Sequence, residues 1–211
     1  MFKIKKKSNE EDVEVSVQSI YEGHHNVTYK GIKAIRCPFD YVIYQMIICE
    51  LKPDLVIEIG TNIGGGALYI ADLLDMNGKG ILHTIDIVDI VDPRVKEHKR
   101  IKFFTKGWED YNLELTQGFE KILIIEDASH YYKDTIGILN KFYSLVTLDS
   151  YFIIEDGIIN ELGLEKDYLG GPLKALREFL PNHPEFIVDR KWCNMFGKNA
   201  TFNVNGYLKR I

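Results

Sequence analysis

Asp54-Leu-Val-Ile-Glu-Ile-Gly60-Thr-Asn-Ile-Gly64-Gly-Gly-Ala-Leu-Tyr69 is the stretch that decides the fold. Leu55–Ile59 is a short apolar run, and it breaks on Gly60, Gly64, Gly65 and Gly66. Ala67, Leu68, Ile70, Ala71, Leu73 and Leu74 then recur at helical spacing. The pattern predicts a buried strand, a tight glycine turn and a helix. Glycine takes positive φ and lets backbone N–H groups approach a ligand closely. The helix adds free N–H groups at its start. The turn is therefore a natural cradle for a nucleotide-like cofactor.

The residues narrow the choice of cofactor. Asn62 stands where the dinucleotide fingerprint G-x-G-x-x-G needs its second glycine, which disfavours an NAD-type oxidoreductase. The G-K-[ST] ending of a phosphate-cradling NTPase loop is absent. Glu58, two residues before Gly60, would repel a pyrophosphate. It suits a ligand with an amino group, hydroxyls and a positive centre, as S-adenosylmethionine has. Glu58-Ile-Gly-Thr-x-x-Gly64-x-x-Ala-Leu68 resembles the first motif of S-adenosylmethionine-dependent O-methyltransferases. The competing reading is an ordinary strand–turn–helix in some other α/β protein.

Outward from this stretch the pattern alternates. Residues 39–51, after Cys37-Pro38, are apolar on one broad face and predict a helix ending before Lys52-Pro53. Strands are expected at Ile81–Ile85, 101–105, 122–125, Tyr151–Ile154 and Phe186–Val188. Residues 200–208 read as a last strand with a possible break at Asn205-Gly206. Helices are expected over 132–146 and from Gly171-Pro172 to Leu180, where Pro181 stops the second. Strands alternating with helices give an α/β, doubly wound, mainly parallel sheet. Upstream, Val13, Val15 and Val17 alternate as in a short strand. Residues 1–20, with a lysine cluster and then an acidic one, are expected to be a solvated arm, and 21–211 a single domain.

Composition agrees with one domain. The chain has 211 residues, 45% hydrophobic and 27% charged, enough for one full core. A net charge of −5 argues against a nucleic-acid surface. No apolar run approaches the ~20 residues that span a bilayer. The charged N-terminus does not resemble a signal peptide. Cys37, Cys49 and Cys193 are odd in number without a C-x-x-C pair, as buried thiols in a reducing compartment would be. A cytoplasmic protein is the expectation. The aromatic-rich C-terminal third leaves two options open, a homo-oligomer face or core filling.

In open parallel sheets, ligands bind beyond the carboxyl ends of the strands. Nearly every predicted strand here ends in an acid. Asp86 ends the second strand, where a carboxylate can accept hydrogen bonds from ribose hydroxyls, unless it is only a solvated turn residue. Gly107-Trp108 is expected beside the adenine, with packing the competing reading for Trp108. Asp127, Glu155 and Asp156 converge if their strands are neighbours. Such carboxylates repel unless a cation resolves them, and an oxygen shell suits Mg²⁺ or Mn²⁺. Taken singly, each is equally a helix cap or turn residue. Glu126 reads as a bystander. His130, three residues after Asp127, is a candidate general base or a support for a ligand. His24-His25 is a candidate loop bordering the site.

The chain resembles the cephalosporin hydroxylase / rhamnosyl O-methyltransferase family, and more broadly the metal-dependent catechol-type O-methyltransferases. The match covers about residue 29 to the C-terminus. It rests on Pro38-Phe-Asp40, Lys52-Pro-Asp54, Glu58-Ile-Gly-Thr61 with Gly64-Gly-Gly66, Asp86-Ile and Asp127-Ala-Ser-His130. It continues through Tyr151-Phe-Ile-Ile-Glu-Asp156, Gly171-Pro172 and Thr201-Phe-Asn-Val-Asn-Gly-Tyr-Leu-Lys-Arg210. The resemblance implies a seven-stranded Rossmann-like sheet with one antiparallel strand near its edge. It implies a methyl-donor site at Glu58, Gly60, Thr61, Gly64, Asp86, Gly107 and Trp108, and a metal site at Asp127, Glu155 and Asp156. His130 falls near where the catechol enzymes place a lysine base. The expected activity is S-adenosylmethionine-dependent, Mg²⁺-dependent methylation of a hydroxyl on a small molecule or sugar, with Asp127 and His130 as the catalytic pair. An Fe(II) hydroxylase of the same family and a non-catalytic donor-binding subunit are the alternatives.

Overall fold

The computed structural model describes residues 15–211. The chain runs α1 (Val17–His24), β1 (Thr28–Tyr29), β2 (Ile32–Lys33), α2 (Pro38–Leu51), β3 (Leu55–Ile59) and α3 (Gly65–Met76). It continues β4 (Ile81–Ile85), α4 (Pro93–Lys96), β5 (Ile101–Phe104), β6 (Ile122–Glu126), α5 (Tyr132–Phe142) and β7 (Tyr151–Ile154). It closes with α6 (Gly171–Phe179), β8 (Phe186–Val188), α7 (Arg190–Cys193) and β9 (Tyr207–Arg210). β1 and β2 form a small antiparallel hairpin of their own.

The main sheet has seven strands in the order β5-β4-β3-β6-β7-β9-β8. β9 pairs antiparallel with both neighbours, and the other pairings are parallel. The doubly wound sheet with one antiparallel strand next to its edge is thus what the sequence predicts. All residues of β3 and β6 are buried, as expected of central parallel strands covered on both faces. Alternation sorts their side chains. Leu55, Ile57 and Ile59 pack with α5 and α6, while Val56 packs with α2 and α3 on the opposite face. Glu58 shares the parity of Val56 and so faces the α2–α3 layer. From β3 the chain winds outward to β4 and β5, then returns to lay β6 on the other side. The crevice between the ends of β3 and β6 is the topological switch point, where such sheets bind ligands.

Three expectations change. The valine alternation does not make a strand. Val13 lies outside the described residues, Val15 is exposed, and Val17 opens α1. Ser16 decides this. Its side chain accepts from the Ser19 N–H while the Ser19 hydroxyl lies against the Ser16 backbone N–H, a capping box that favours helix. α1 therefore crosses residue 20, where the arm was expected to end. The last strand starts only at Tyr207. Residues 200–206 turn instead because Asp40, buried at the start of α2, gathers the Thr201 hydroxyl, the Phe202 N–H and the Tyr207 hydroxyl. Asn205 then takes φ of 57° before Gly206. The helix expected to reach residue 146 loosens into a 3₁₀ turn after Phe142. Of the C-terminal aromatics, Phe179, Phe186, Trp192, Phe202 and Tyr207 are buried in the core and Phe196 is exposed. No helix among the described residues is long and apolar enough to cross a membrane.

Candidate active site

A cleft of about 620 Å³ opens over the β3–β6 crevice. That is within the range of small-molecule sites. Gly60 makes the crevice possible. Its φ is +106°, and a Cβ there would stand 1.8 Å from the Asp127 carbonyl oxygen. Any side chain would push the two strand ends apart.

Of the residues expected at the donor, Glu58, Gly60, Thr61, Asp86, Gly107 and Trp108 line the cleft. Glu58 is buried, and its Oε2 accepts from the Thr84 hydroxyl at 2.7 Å. Burial raises its pKa to about 7, opposed by the nearby Arg36 cation. Thr61 Oγ1 lies 2.6 Å from the Thr84 hydroxyl, which extends this chain of contacts to the turn. Asp86 does more than expected. Its Oδ2 accepts the N–H groups of Thr61 and Asn62 at 2.9 and 2.8 Å. Its Oδ1 accepts those of Ile87 and Val88 at 2.7 and 3.2 Å. A carboxylate offers about four acceptor positions, so Asp86 ties the glycine turn to the loop after β4 with all of them. Trp108 lines the cleft and packs as well. A Cβ on Gly137 of α5 would lie 2.6 Å from its ring. Gly64 is not in the lining. It caps α3 with φ of +96° and faces Val91 and Val95 instead, while Gly65 and Gly66 line the cleft in its place.

At the ends of β6 and β7, Asp127, His130 and Asp156 each offer one ligand atom within 4.8 Å of the others. His130 Nε2 is 3.3 Å from Asp156 Oδ2. His130 and Asp156 both hold left-handed backbones, with φ of 61° and 55°, a strained arrangement that turns them towards each other. Glu155 does not join them. Its carboxylate takes the Arg36 Nε at 3.0 and 3.1 Å, with Arg36 Nη2 at 2.7 Å and the Tyr44 hydroxyl at 2.6 Å. Asp156 leaves the extended backbone of β7 with φ of 55°, so its side chain parts from that of Glu155. Glu126, expected to be a bystander, lies outside this group; it is fully buried, and burial raises its pKa to about 8.

Arg36 is the residue the sequence reading misses. It lies between β2 and α2 with its side chain 2% exposed, and Nη2 also meets Asp127 Oδ2 at 3.0 Å and Glu58 Oε1 at 3.7 Å. Its guanidinium carbon sits 4.7 Å from the centre of the Tyr44 ring. One buried cation therefore balances part of the acid cluster that seemed to require a metal alone. Asp127 still feels the remainder. Burial, then the Glu155 charge, push its pKa well up, against the pull of Arg36. His24 and His25 also border the cleft. The His24 Nδ1 meets the Tyr21 carbonyl, and burial lowers the pKa of its ring.

Two carboxylates and an imidazole, converging and only part-exposed, form a donor set that suits Mg²⁺ or Mn²⁺. The cleft over the glycine turn, lined by Glu58, Gly60, Gly65 and Gly66, suits a donor that bears both an amino group and a positive centre.

Comparison with known proteins agrees. The family model described as Rhamnosyl O-methyltransferase/CmcI matches residues 22–211. The Rhamnosyl O-methyltransferase of Mycobacterium leprae (strain TN) is 29% identical over 197 residues, covering 88% of this chain and 84% of that one. That of Mycobacterium tuberculosis (strain ATCC 25618 / H37Rv) is 28% identical over 192 residues, covering 87% and 78%. Among solved structures, the protein described as cmcI-N160 SAH superposes with a TM-score of 0.70 at 20% identity, covering 96% of this chain and 88% of that one. The one described as cmcI-D160 Mg-SAM gives 0.67 at 19%, covering 89% and 77%. The O-methyltransferase TomG from Streptomyces achromogenes gives 0.55 at 14%, covering 84% and 81%. These structures share the Rossmann-like methyltransferase fold with this chain. With nine-tenths of its length matched, the chain belongs to the Rhamnosyl O-methyltransferase/CmcI family.

Proposed function

We propose that the cleft is where this family member carries out S-adenosylmethionine-dependent O-methyl transfer, with a divalent cation held by Asp127, His130 and Asp156. The acceptor is a hydroxyl of a small molecule or sugar. The observation that carries this reading is the convergence of those three side chains beside the Gly60 crevice. A divalent cation held by these residues would lower the pKa of an acceptor hydroxyl.

The chain's own residues supply the rest. Gly60 lets the ends of β3 and β6 pack closely beneath the cleft that takes the donor. Glu58 offers its carboxylate to the donor's positive end. Asp86 fixes the shape of the turn, and its longest bond, to Val88, is the one a ribose hydroxyl replaces. Holding donor and acceptor in line contributes much of the acceleration. His130 is turned towards Asp156 with Nδ1 buried and unpartnered, so its place is among the metal ligands rather than as a free base. Glu155 keeps Arg36 in position. The set has one imidazole and two carboxylates, the reverse of the two-histidine iron(II) triad, which weighs against a hydroxylase. The free thiols Cys37, Cys49 and Cys193 support a reducing, cytoplasmic setting.

The test is calorimetric titration of Mg²⁺ into the protein with S-adenosylhomocysteine present. Asp156→Ala and His130→Ala should each weaken the metal at least ~10-fold, as loss of a ligand does, while Glu155→Gln retains it. Unchanged metal affinity in Asp156→Ala would remove this assignment. In parallel, transfer of labelled methyl from S-adenosylmethionine to a panel of sugar and phenolic hydroxyls should stop in excess EDTA.

A further inference from the structure

With His130 placed among the metal ligands, the acceptor hydroxyl still needs a group to take its proton. Two further imidazoles border the cleft at the end of α1, and His24 is the buried one of the pair, 7% exposed. Its Nδ1 meets the Tyr21 carbonyl oxygen. A carbonyl only accepts, so Nδ1 carries the proton and the neutral ring keeps its lone pair on Nε2. Nε2 has no hydrogen-bond partner among the described residues, yet it is not one of the atoms sealed in the core, so it opens into the cleft. The ring is held on its other contacts by Tyr21, with centroids 5.0 Å apart, and by Phe202, edge-on at 5.2 Å. The Ser16–Ser19 capping box anchors the helix that carries it.

The charges around the ring suit a base. Burial lowers its pKa, so the ring is neutral at rest near pH 7. Two features favour the imidazolium once a proton arrives. The Asp156 carboxylate raises the pKa, and His24 lies in the last turn of α1, at the negative end of the helix dipole. His25 opposes them. Tyr21 and His25 of α1 and Asp156 beyond β7 are the titratable residues that act on the ring, and Phe202 adds no charge. The pull of Asp156 also places His24 within electrostatic reach of the Asp127, His130 and Asp156 group, to which it does not belong. We propose that His24 is the general base of the transfer, with Nε2 taking the hydroxyl proton as the acceptor oxygen attacks the donor methyl. The O–H bond breaks and an N–H bond forms on Nε2, while the O–CH₃ bond forms and the sulfonium S–CH₃ bond breaks. S-adenosylhomocysteine leaves uncharged at sulfur, and the imidazolium returns its proton to water through the cleft. This rests on the reading above that Asp127, His130 and Asp156 hold the cation.

NMR of the histidine rings on the full chain, with S-adenosylhomocysteine present and with or without Mg²⁺, tests the assignment, and His24→Gln identifies the signal. His24 should show the Nδ1–H tautomer and titrate below the usual 6.5. Saturating Mg²⁺ brings positive charge to Asp156 and should lower that midpoint by roughly half a pH unit or more. His98, beside Asp72 and Asp75, and His183, beside Glu185, do not line the cleft and should not move. With catechol as acceptor, His24→Gln should lower kcat at least ~100-fold, hold KM within ~3-fold and remove the acid limb of the pH profile. Where the wild type does not turn over catechol, or the variant unfolds, the wild-type ring titrations decide. An Nε2–H tautomer, a midpoint unmoved by bound Mg²⁺, or kcat retained by His24→Gln overturns the base. Calorimetry showing no Mg²⁺ bound overturns the metal reading, and the base with it, so the two failures are distinct.

Discussion

Replacing Gly60 by alanine should damage both stability and donor binding, and the size of the effect follows from two separate costs. The first is conformational. An L-residue at φ of +106° carries strain of about 1–3 kcal/mol. The second is steric. The new Cβ would sit 1.8 Å from the Asp127 carbonyl oxygen, far inside the ~3.5 Å of ordinary contact. That oxygen belongs to backbone next to a parallel strand pairing, so it cannot rotate away. Overpacking of this kind costs about 1–3 kcal/mol. Together they give about 2–6 kcal/mol, or a fall in Tm of roughly 5–25 °C for a chain of this length. Gly78→Ala separates the two costs. Gly78 also has positive φ, +75°, but a Cβ there meets nothing within 4 Å. It should show the strain alone. Thermal melts of both variants, with calorimetry of S-adenosylhomocysteine, read out the difference. If Gly60→Ala melts within ~3 °C of Gly78→Ala and binds the ligand like wild type, the crevice is not where the donor sits and the steric reasoning is wrong.

Other outcomes follow from the same geometry. Tyr44→Phe removes the 2.6 Å hydrogen bond to Glu155 beside Arg36 and should cost about 1.5–3 kcal/mol in urea melts; a loss below ~0.5 kcal/mol would mean the bond is not made. Glu126 makes stability depend on pH. Its folded pKa, raised to about 8 by burial, exceeds the unfolded value of 4.5, so the folded state holds the proton more tightly. Its contribution is complete below pH 4.5 and is lost as pH rises through 8, by up to about 1.4 kcal/mol per unit. Glu126→Gln should flatten that fall when wild type and variant are melted in EDTA across this range, and an unchanged slope would assign it to other groups. Asp40→Asn turns an acceptor of the Thr201, Phe202 and Tyr207 donors into a partial donor and should cost about 1–3 kcal/mol; full stability would show that residues 200–206 hold their turn without it.

The sheet was legible because each central strand announces itself twice, by an apolar run and by the acid or glycine that ends it. Leu55–Ile59, Ile81–Ile85, Tyr151–Ile154 and Phe186–Val188 fall on the strands as expected. The N-terminal valines misled because alternation over five residues is weaker than one good helix cap, and Ser16 supplies the cap. The tail misled because a buried aspartate far away in sequence, Asp40, takes hydrogen bonds from residues that would otherwise extend the strand. At the site, Glu58, Gly60, Asp86, Asp127 and Asp156 were readable from their place at strand ends. Glu155 was not separable from Asp156 by residue type, because the left-handed backbone that parts them has no signature in the residues themselves. Arg36 gave the weakest signal, a lone cation between Ile35 and Cys37. Only the excess of acids at one sheet edge hinted that a buried positive charge was needed.

Thermal unfolding with saturating ligands tests the two-part site most directly. A ligand at 100 times its Kd stabilises the folded state by about 2.7 kcal/mol. S-adenosylhomocysteine should raise Tm accordingly, Mg²⁺ should raise it further in the wild type but not in Asp156→Ala, and NAD should leave it unchanged. A rise with NAD and none with S-adenosylhomocysteine, or a Mg²⁺ effect that survives in Asp156→Ala, would contradict it.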